Sequence, residues 1–131
     1  MSHRLLVVDD EEPILFAMRE YFTSLGFQVD CVREIEPAQA LLAEERYQVV
    51  IADLRLAGSG GREGLELVSY VRRRHPGTAI VVLTAYGSPE VESEARSRGI
   101  DAFLHKPSPL REVAEIVQKL ADGRHGPERS L

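Results

Sequence analysis

The sequence predicts an α/β protein of the doubly wound class, a five-stranded parallel sheet with helices on both faces. Three observations predict it. Short, unbroken apolar runs recur at residues 5–8, 49–52 and 79–83, as expected of strands buried on both faces. Apolar residues at helical spacing lie between those runs, so that strand and helix patterns alternate along the chain. Proline and glycine stand at the joints, where helices begin and end. Such an alternation folds with right-handed crossovers.

Taken in order, the first strand is LLVV at 5–8 and runs directly into Asp9 and Asp10. A helix follows, with Pro13 in its first turn, a stripe of Ile14, Met18, Tyr21, Phe22 and Leu25, and Gly26 past its end. Residues 27–32 make a weaker strand. The second helix carries Pro37, Ala38, Leu41 and Leu42, and the third strand, VVIA, ends at Asp53. Leu67, Val68 and Val71 mark the third helix. The fourth strand, AIVVL, leads into Thr84. Ser88 and Pro89 then form an N-cap and first helical position, but only Val91 and Ala95 supply a stripe before Gly99, so this helix is expected to be the most mobile. The last strand, weak at 102–104, leads to Lys106. A final helix capped by Ser108, with Pro109 in its first turn, carries Leu110, Val113, Ala114, Val117 and Leu120 and stops before Gly123.

At 131 residues, 44% hydrophobic and 28% charged, the chain suits one soluble globular domain, expected at 1–122, with 123–131 as a polar tail or the start of a linker. No apolar run approaches the roughly 20 residues of a membrane span, and the opening MSHRLLVV lacks the succession of a signal peptide. The single cysteine, Cys31, agrees with a reducing compartment. The expectation is a cytoplasmic protein that meets neither membrane nor nucleic acid directly, since a net charge of −5 gives no broad attraction to either. His3, His75, His105 and His125 show no ligand spacing, and GSGGREG lacks the lysine and hydroxyl residue of a phosphate loop.

In doubly wound sheets, ligands bind beyond the carboxyl ends of the strands. Those ends carry Asp9, Asp10, Asp53, Thr84 and, just past the last strand, Lys106. Taken singly, each has an ordinary explanation: helix caps for the first two, a turn aspartate, a strand threonine, a solvated lysine. Their joint placement argues for chemistry. Three carboxylates drawn together repel and either shift their protonation or share a cation. A hard ion such as Mg²⁺ takes one or two carboxylates together with waters and phosphate oxygens, leaving a third carboxylate to act as nucleophile. Phosphoryl transfer also needs positive charge and hydrogen-bond donors around the moving group, which Lys106 and Thr84 would provide.

Four segments in order, LLVVDDEEPI, VVIADLRL, VVLTAYG and AFLHKPSPL, resemble the receiver domains of bacterial response regulators, relatives of the single-domain chemotaxis regulator, from about Arg4 to about Asp122. The resemblance implies the flavodoxin-like strand order 2-1-3-4-5. It implies that Asp53 is the phosphoacceptor, Asp10 a direct Mg²⁺ ligand, Asp9 a carboxylate acting through water, and the backbone carbonyl of Arg55 a further ligand. Lys106 would contact the phosphoryl group, Thr84 would follow it, and Phe103 would be the aromatic switch that rotates inward from a more exposed position. A cis bond before Pro107 would aim the lysine. Arg55 and Tyr86 would flank the path of the hydrolytic water.

The implied function is a phosphorylation-dependent switch of a two-component system, not an enzyme in its own right, fed by a histidine kinase or phosphotransfer protein. Its surface around the fourth helix, last strand and fifth helix would act on a downstream effector domain or protein, or join a phosphorylation-linked homodimer. One departure stands out. Ala57 replaces the proline usual after the acceptor, and the stretch at 58–63 is longer and richer in glycine, so an extended, flexible loop is expected beside Asp53. Two other classes share the architecture. A phosphatase of the haloacid dehalogenase type needs its nucleophile on the first strand and an aspartate two residues on, where Arg55 follows Asp53; a flavodoxin-like nucleotide binder needs a phosphate loop after the first strand, which is missing.

Overall fold

A computed structural model describes residues 3–56 and 62–123. Five strands alternate with five helices: β1 (Arg4–Val8), α1 (Glu12–Ser24), β2 (Gln28–Val32), α2 (Ile35–Glu44), β3 (Val49–Ala52), α3 (Arg62–Arg74), β4 (Ala79–Thr84), α4 (Pro89–Ser97), β5 (Ala102–His105) and α5 (Leu110–Gly123). The strands form one parallel sheet in the order β2-β1-β3-β4-β5, the order expected.

The pleat explains why the central strands read as unbroken apolar runs. Alternate residues point to opposite faces. Leu5, Val7, Val49, Ile51, Val81 and Leu83 pack on one side against Leu15, Met18 and Phe22 of α1 and Val113 and Val117 of α5. Leu6, Val8, Val50, Ala52, Ile80 and Val82 pack on the other against α2, α3 and α4, among them Leu42, Leu67, Val71 and Ala95. With both faces covered, no position in β1, β3 or β4 has a reason to be polar until the strand leaves the core. β2 and β5 were the weak strands in the sequence because they are the sheet's edges. β2 buries none of its five residues, and β5 buries only Phe103.

Helix punctuation differs from expectation at the two ends of α5. Ser88 caps α4 as expected, its hydroxyl accepting from the Val91 N–H at 3.1 Å. Ser108 does not cap α5: its hydroxyl donates back to the His105 carbonyl at 2.6 Å, and the first free N–H groups of α5, from Glu112 and Val113, go to the Pro109 carbonyl. Proline has no N–H to lose, so Pro109 stands at the edge of the helix while the serine closes the turn before it. Gly123 belongs to α5 and does not follow it. The glycine-rich stretch expected as a loop at 58–63 falls largely on residues 57–61, outside the described residues, and 62 and 63 already belong to α3; the expected tail beyond 123 also lies outside.

α3 starts directly against the backbone that carries Asp53. The Gly64 N–H donates to the Leu54 carbonyl at 3.3 Å, and a Cβ at position 64 would sit 2.6 Å from that oxygen and 2.7 Å from the carbonyl oxygen of Asp53. Backbone atoms cannot swing aside as a side chain can. Gly64→Ala is therefore expected to destabilise the protein by about 1–3 kcal/mol, the usual cost of overpacking, despite alanine's better helix propensity. Urea denaturation checks it; a midpoint unchanged from wild type would mean that α3 slides away at no cost.

Candidate functional site

Parallel pairing brings the strand ends together. The Asp53 N–H donates to the Val8 carbonyl at 2.9 Å, and the Asp9 N–H donates to the Val32 carbonyl at 3.1 Å, so both aspartates emerge at the same edge of the sheet. From the other side, the Lys106 N–H donates to the Thr84 carbonyl at 2.9 Å, which fixes the chain as it leaves β5. The peptide bond between Lys106 and Pro107 is cis, as the resemblance implied.

The Lys106 ammonium meets three carboxylates: Asp9 Oδ2 at 2.8 Å, Asp53 Oδ2 at 2.9 Å and Glu11 Oε2 at 2.9 Å. The side chains of Asp9 and Asp53 are each 3% exposed and that of Lys106 10%, whereas Glu11 is 56% exposed. Burial raises the pKa of Asp9, against the opposing pull of its hydrogen bonds from Lys106 and from the Glu11 N–H at 2.9 Å. Burial alone would lower the Lys106 pKa, but hydrogen bonds to Asp9, Asp53 and Glu11 outweigh it and hold the ammonium above the usual lysine range. Asp10 completes the group. Asp9, Asp10, Glu11 and Asp53 each place a carboxylate oxygen within 4.8 Å of the others. One ammonium cannot balance four carboxylates, and hard oxygen donors in this number suit a small divalent cation.

Arg55, exposed, donates its backbone N–H to Asp53 Oδ1 at 3.1 Å, and its guanidinium lies 4.0 Å over the Tyr86 ring. The two residues expected to border the site therefore touch each other. Thr84 is fully buried at the end of β4, and its hydroxyl oxygen accepts from the Tyr86 N–H at 3.2 Å. Phe103 corrects one expectation. It is not in a more exposed position awaiting rotation but is already 8% exposed and packed with Val82 and Ile100. Room for it exists because residue 87 is glycine: a Cβ there would lie 2.9 Å from the Phe103 ring and 2.7 Å from that of His105, which meets Phe103 edge-on with 5.3 Å between centroids.

Sequence reasoning passed over Glu11. Its signal was adjacency to the aspartate pair in DDEEP, where acidic residues ahead of a helix are ordinary. Glu11 does occupy the N-cap of α1, yet its side chain makes no capping hydrogen bond and reaches Lys106 instead.

The family model described as the response regulator receiver domain matches residues 5–118. The chain is 33% identical to the response regulator protein PilR of Pseudomonas aeruginosa over 87% of its own length and 25% of that protein. It is 32% identical to the nitrogen assimilation regulatory protein NtrX of Azorhizobium caulinodans over 91% of its length and 26% of that protein. It thus spans about a quarter of these relatives. A CheY-like response regulator receiver domain protein from Methanospirillum hungatei superposes with a TM-score of 0.89 at 25% identity, covering 95% of this chain and 97% of the other.

Lys106→Met tests the electrostatics of the site. Without the ammonium, Asp9 keeps the burial that raises its pKa and loses the hydrogen bond and charge that lower it, so its pKa moves further up. An aspartate whose folded pKa is raised holds its proton more tightly folded than unfolded. Stability is then lost as pH climbs from the ordinary aspartate range through the raised midpoint. The metal-free variant should lose more stability than wild type as pH rises above the ordinary aspartate range, about pH 4. Carbon-13 titration of the Asp9 carboxyl together with denaturation at each pH measures both; an Asp9 midpoint equal to that of wild type would contradict the account.

Proposed function

The chain belongs to the response regulator receiver domain family, and from that membership we propose that Asp53 is the residue on which it accepts a phosphoryl group in two-component signalling. The observation that carries the assignment is the Asp53 carboxylate, 3% exposed, with one oxygen 2.9 Å from the Lys106 ammonium and its neighbours crowded with carboxylates that suit a divalent ion. Asp9 is just as buried but directs Oδ1 to the Glu11 N–H and Oδ2 to Lys106, which suits a supporting role.

In the proposed reaction an Asp53 oxygen attacks phosphorus as the bond to the donor breaks. That bond is P–N in a phosphohistidine of a histidine kinase or phosphotransfer protein, and P–O in a small acyl phosphate. The bond's electron pair leaves with the donor, and a mixed anhydride forms on Asp53. Mg²⁺, held by Asp10, Asp53 and the Arg55 carbonyl with Asp9 acting through water, would supply positive charge to the phosphoryl oxygens. Lys106 donates to one of those oxygens. The Thr84 hydroxyl, whose oxygen already accepts from Tyr86, keeps its own proton to donate to another. Water later attacks phosphorus, the P–O bond to Asp53 breaks with its electron pair staying on the carboxylate, and inorganic phosphate carrying the water's oxygen leaves, so the chain assists its own phosphorylation and dephosphorylation. The stacked Arg55 and Tyr86 border that water's approach.

The signal proposed is a shift toward the arrangement in which Phe103 is inward and the surface of α4, β5 and α5 is set. A hydrogen bond from Thr84 to a charged phosphoryl group is worth roughly 1.5–3 kcal/mol, which moves a two-state population about ten- to a hundredfold. The inward Phe103 supports a resting protein that already samples the active arrangement. Downstream, the partner is an effector domain or protein, or a second copy of the chain; relatives about four times as long favour a covalently joined effector. Among the described residues no helix is long and apolar enough to cross a membrane, and the proposed setting is the cytoplasm.

Incubation with acetyl phosphate and Mg²⁺ followed by intact mass tests the acceptor. One phosphoryl group is expected on wild type and none on Asp53→Asn or in the presence of a chelator; equal labelling of the variant would sink the assignment. Thr84→Ala tests the coupling. It should still be labelled, while the change in Phe103 NMR shifts on adding beryllofluoride, a phosphoryl mimic, falls to a small fraction of that in wild type. Undiminished shifts would rule out Thr84 as the link.

A further inference from the structure

The Lys106 ammonium donates hydrogen bonds to Glu11 and Asp53 and pairs with Asp9 at 2.8 Å, three partners for a group with three protons. On the phosphoacceptor reading, two of these partners change during the reaction. Asp53 would become an acyl phosphate, whose oxygens then take the place of its carboxylate, and Asp9 would act on the cation through water. Glu11, although its carboxylate lies in the same cluster, is assigned neither role. Its main chain is tied to the site through the N–H that donates to Asp9 Oδ1, and its backbone is extended at φ −97° and ψ 112°, as an N-cap should be. A glutamate in that position commonly contributes to its own helix end, where the free N–H groups lie. Here the side chain contributes no cap and crosses to a lysine 95 positions away in sequence.

We propose that Glu11 is a positioning residue for phosphoryl transfer, the constant partner that keeps the Lys106 ammonium aimed at the site while its other two partners are exchanged. One proton stays on Glu11 and two remain for the phosphoryl oxygens and the carboxylate beside them. No displacement of Glu11 is required at any stage. The role rests on Asp53 being the acceptor, but the contact itself does not, which lets the two be tested apart.

The test uses Glu11→Ala, which removes hydrogen bond and charge, and Glu11→Gln, which keeps an acceptor. Labelling rates with acetyl phosphate are measured at saturating Mg²⁺ and donor, in wild-type and Lys106→Ala backgrounds. Because Glu11 is half exposed, the effect should be moderate: about three- to tenfold slower for Glu11→Ala, a smaller loss for Glu11→Gln, and no further loss when Glu11→Ala is added to Lys106→Ala. Separately, nitrogen-15 NMR of the metal-free protein follows the Lys106 side-chain ammonium, whose resonance should broaden or vanish through faster exchange in Glu11→Ala and persist in Glu11→Gln. Faster labelling of Glu11→Ala, an equal slowing in the Lys106→Ala background, or an unaltered Lys106 resonance would each overturn the inference. Absence of labelling in wild type would instead overturn the phosphoacceptor reading, and the role of Glu11 with it.

Discussion

The interaction on which the rest depends is the ammonium of Lys106 set among carboxylates at the carboxyl edge of a parallel sheet. Burying Asp9 and Asp53 side by side is costly, since each loses hydration and each repels the other. Lys106 offsets part of that cost and cannot offset all of it, because Asp10 and Glu11 add further negative charge in the same few ångströms. The cluster is left needing a second cation and able to receive a group whose own oxygens can share Lys106. A site with its charges fully balanced would be more stable and would have no reason to bind anything.

Main-chain bonds make this arrangement a property of the sheet. Val8 receives Asp53, Val32 receives Asp9, and Thr84 receives Lys106, so a shift in any one strand would displace a charged side chain. The same bonds tie the site to β5. Thr84 holds Lys106 through its carbonyl while its hydroxyl faces the residues after β4, and three residues beyond it Gly87 makes space for the rings of Phe103 and His105. The chemistry proposed at Asp53 and the packing at Phe103 are therefore separated by one short loop. On the far side of that loop, α4 buries only Ala95 and is fastened to α3 by Arg98, which donates to the Leu65 carbonyl and the Ser69 hydroxyl at 3.2 Å each. A helix with so little buried apolar surface can be moved at small cost.

Much of this was legible in the residues alone, for a definite reason. Strands covered on both faces must be apolar throughout, so Asp9, Asp53 and Thr84 could be located as the first polar residues past the runs of β1, β3 and β4. The edge strands were read weakly because half their neighbours are solvent. Ser108 was misread because the sequence shows a hydroxyl before a helix without showing that the helix bonds begin at the Pro109 carbonyl, one residue later. Phe103 was assigned as a switch, but whether its ring lay inward depends on the space left by Gly87, a contact between a loop and a strand that no local pattern records.

The sequence by itself determined the elements, their parallel order of burial and the set of charged groups delivered to one edge, because these follow from which residues can tolerate burial along a strand or helix. Only the tertiary structure decided how those groups pair. That Glu11 abandons its helix end for Lys106, that Arg55 lies across Tyr86, and that Gly64 abuts the backbone of Asp53 are distances between chain segments far apart in sequence. Such distances are set by the packing of the whole sheet and its helices, and hydrogen bonds and charge interactions act only over those last few ångströms.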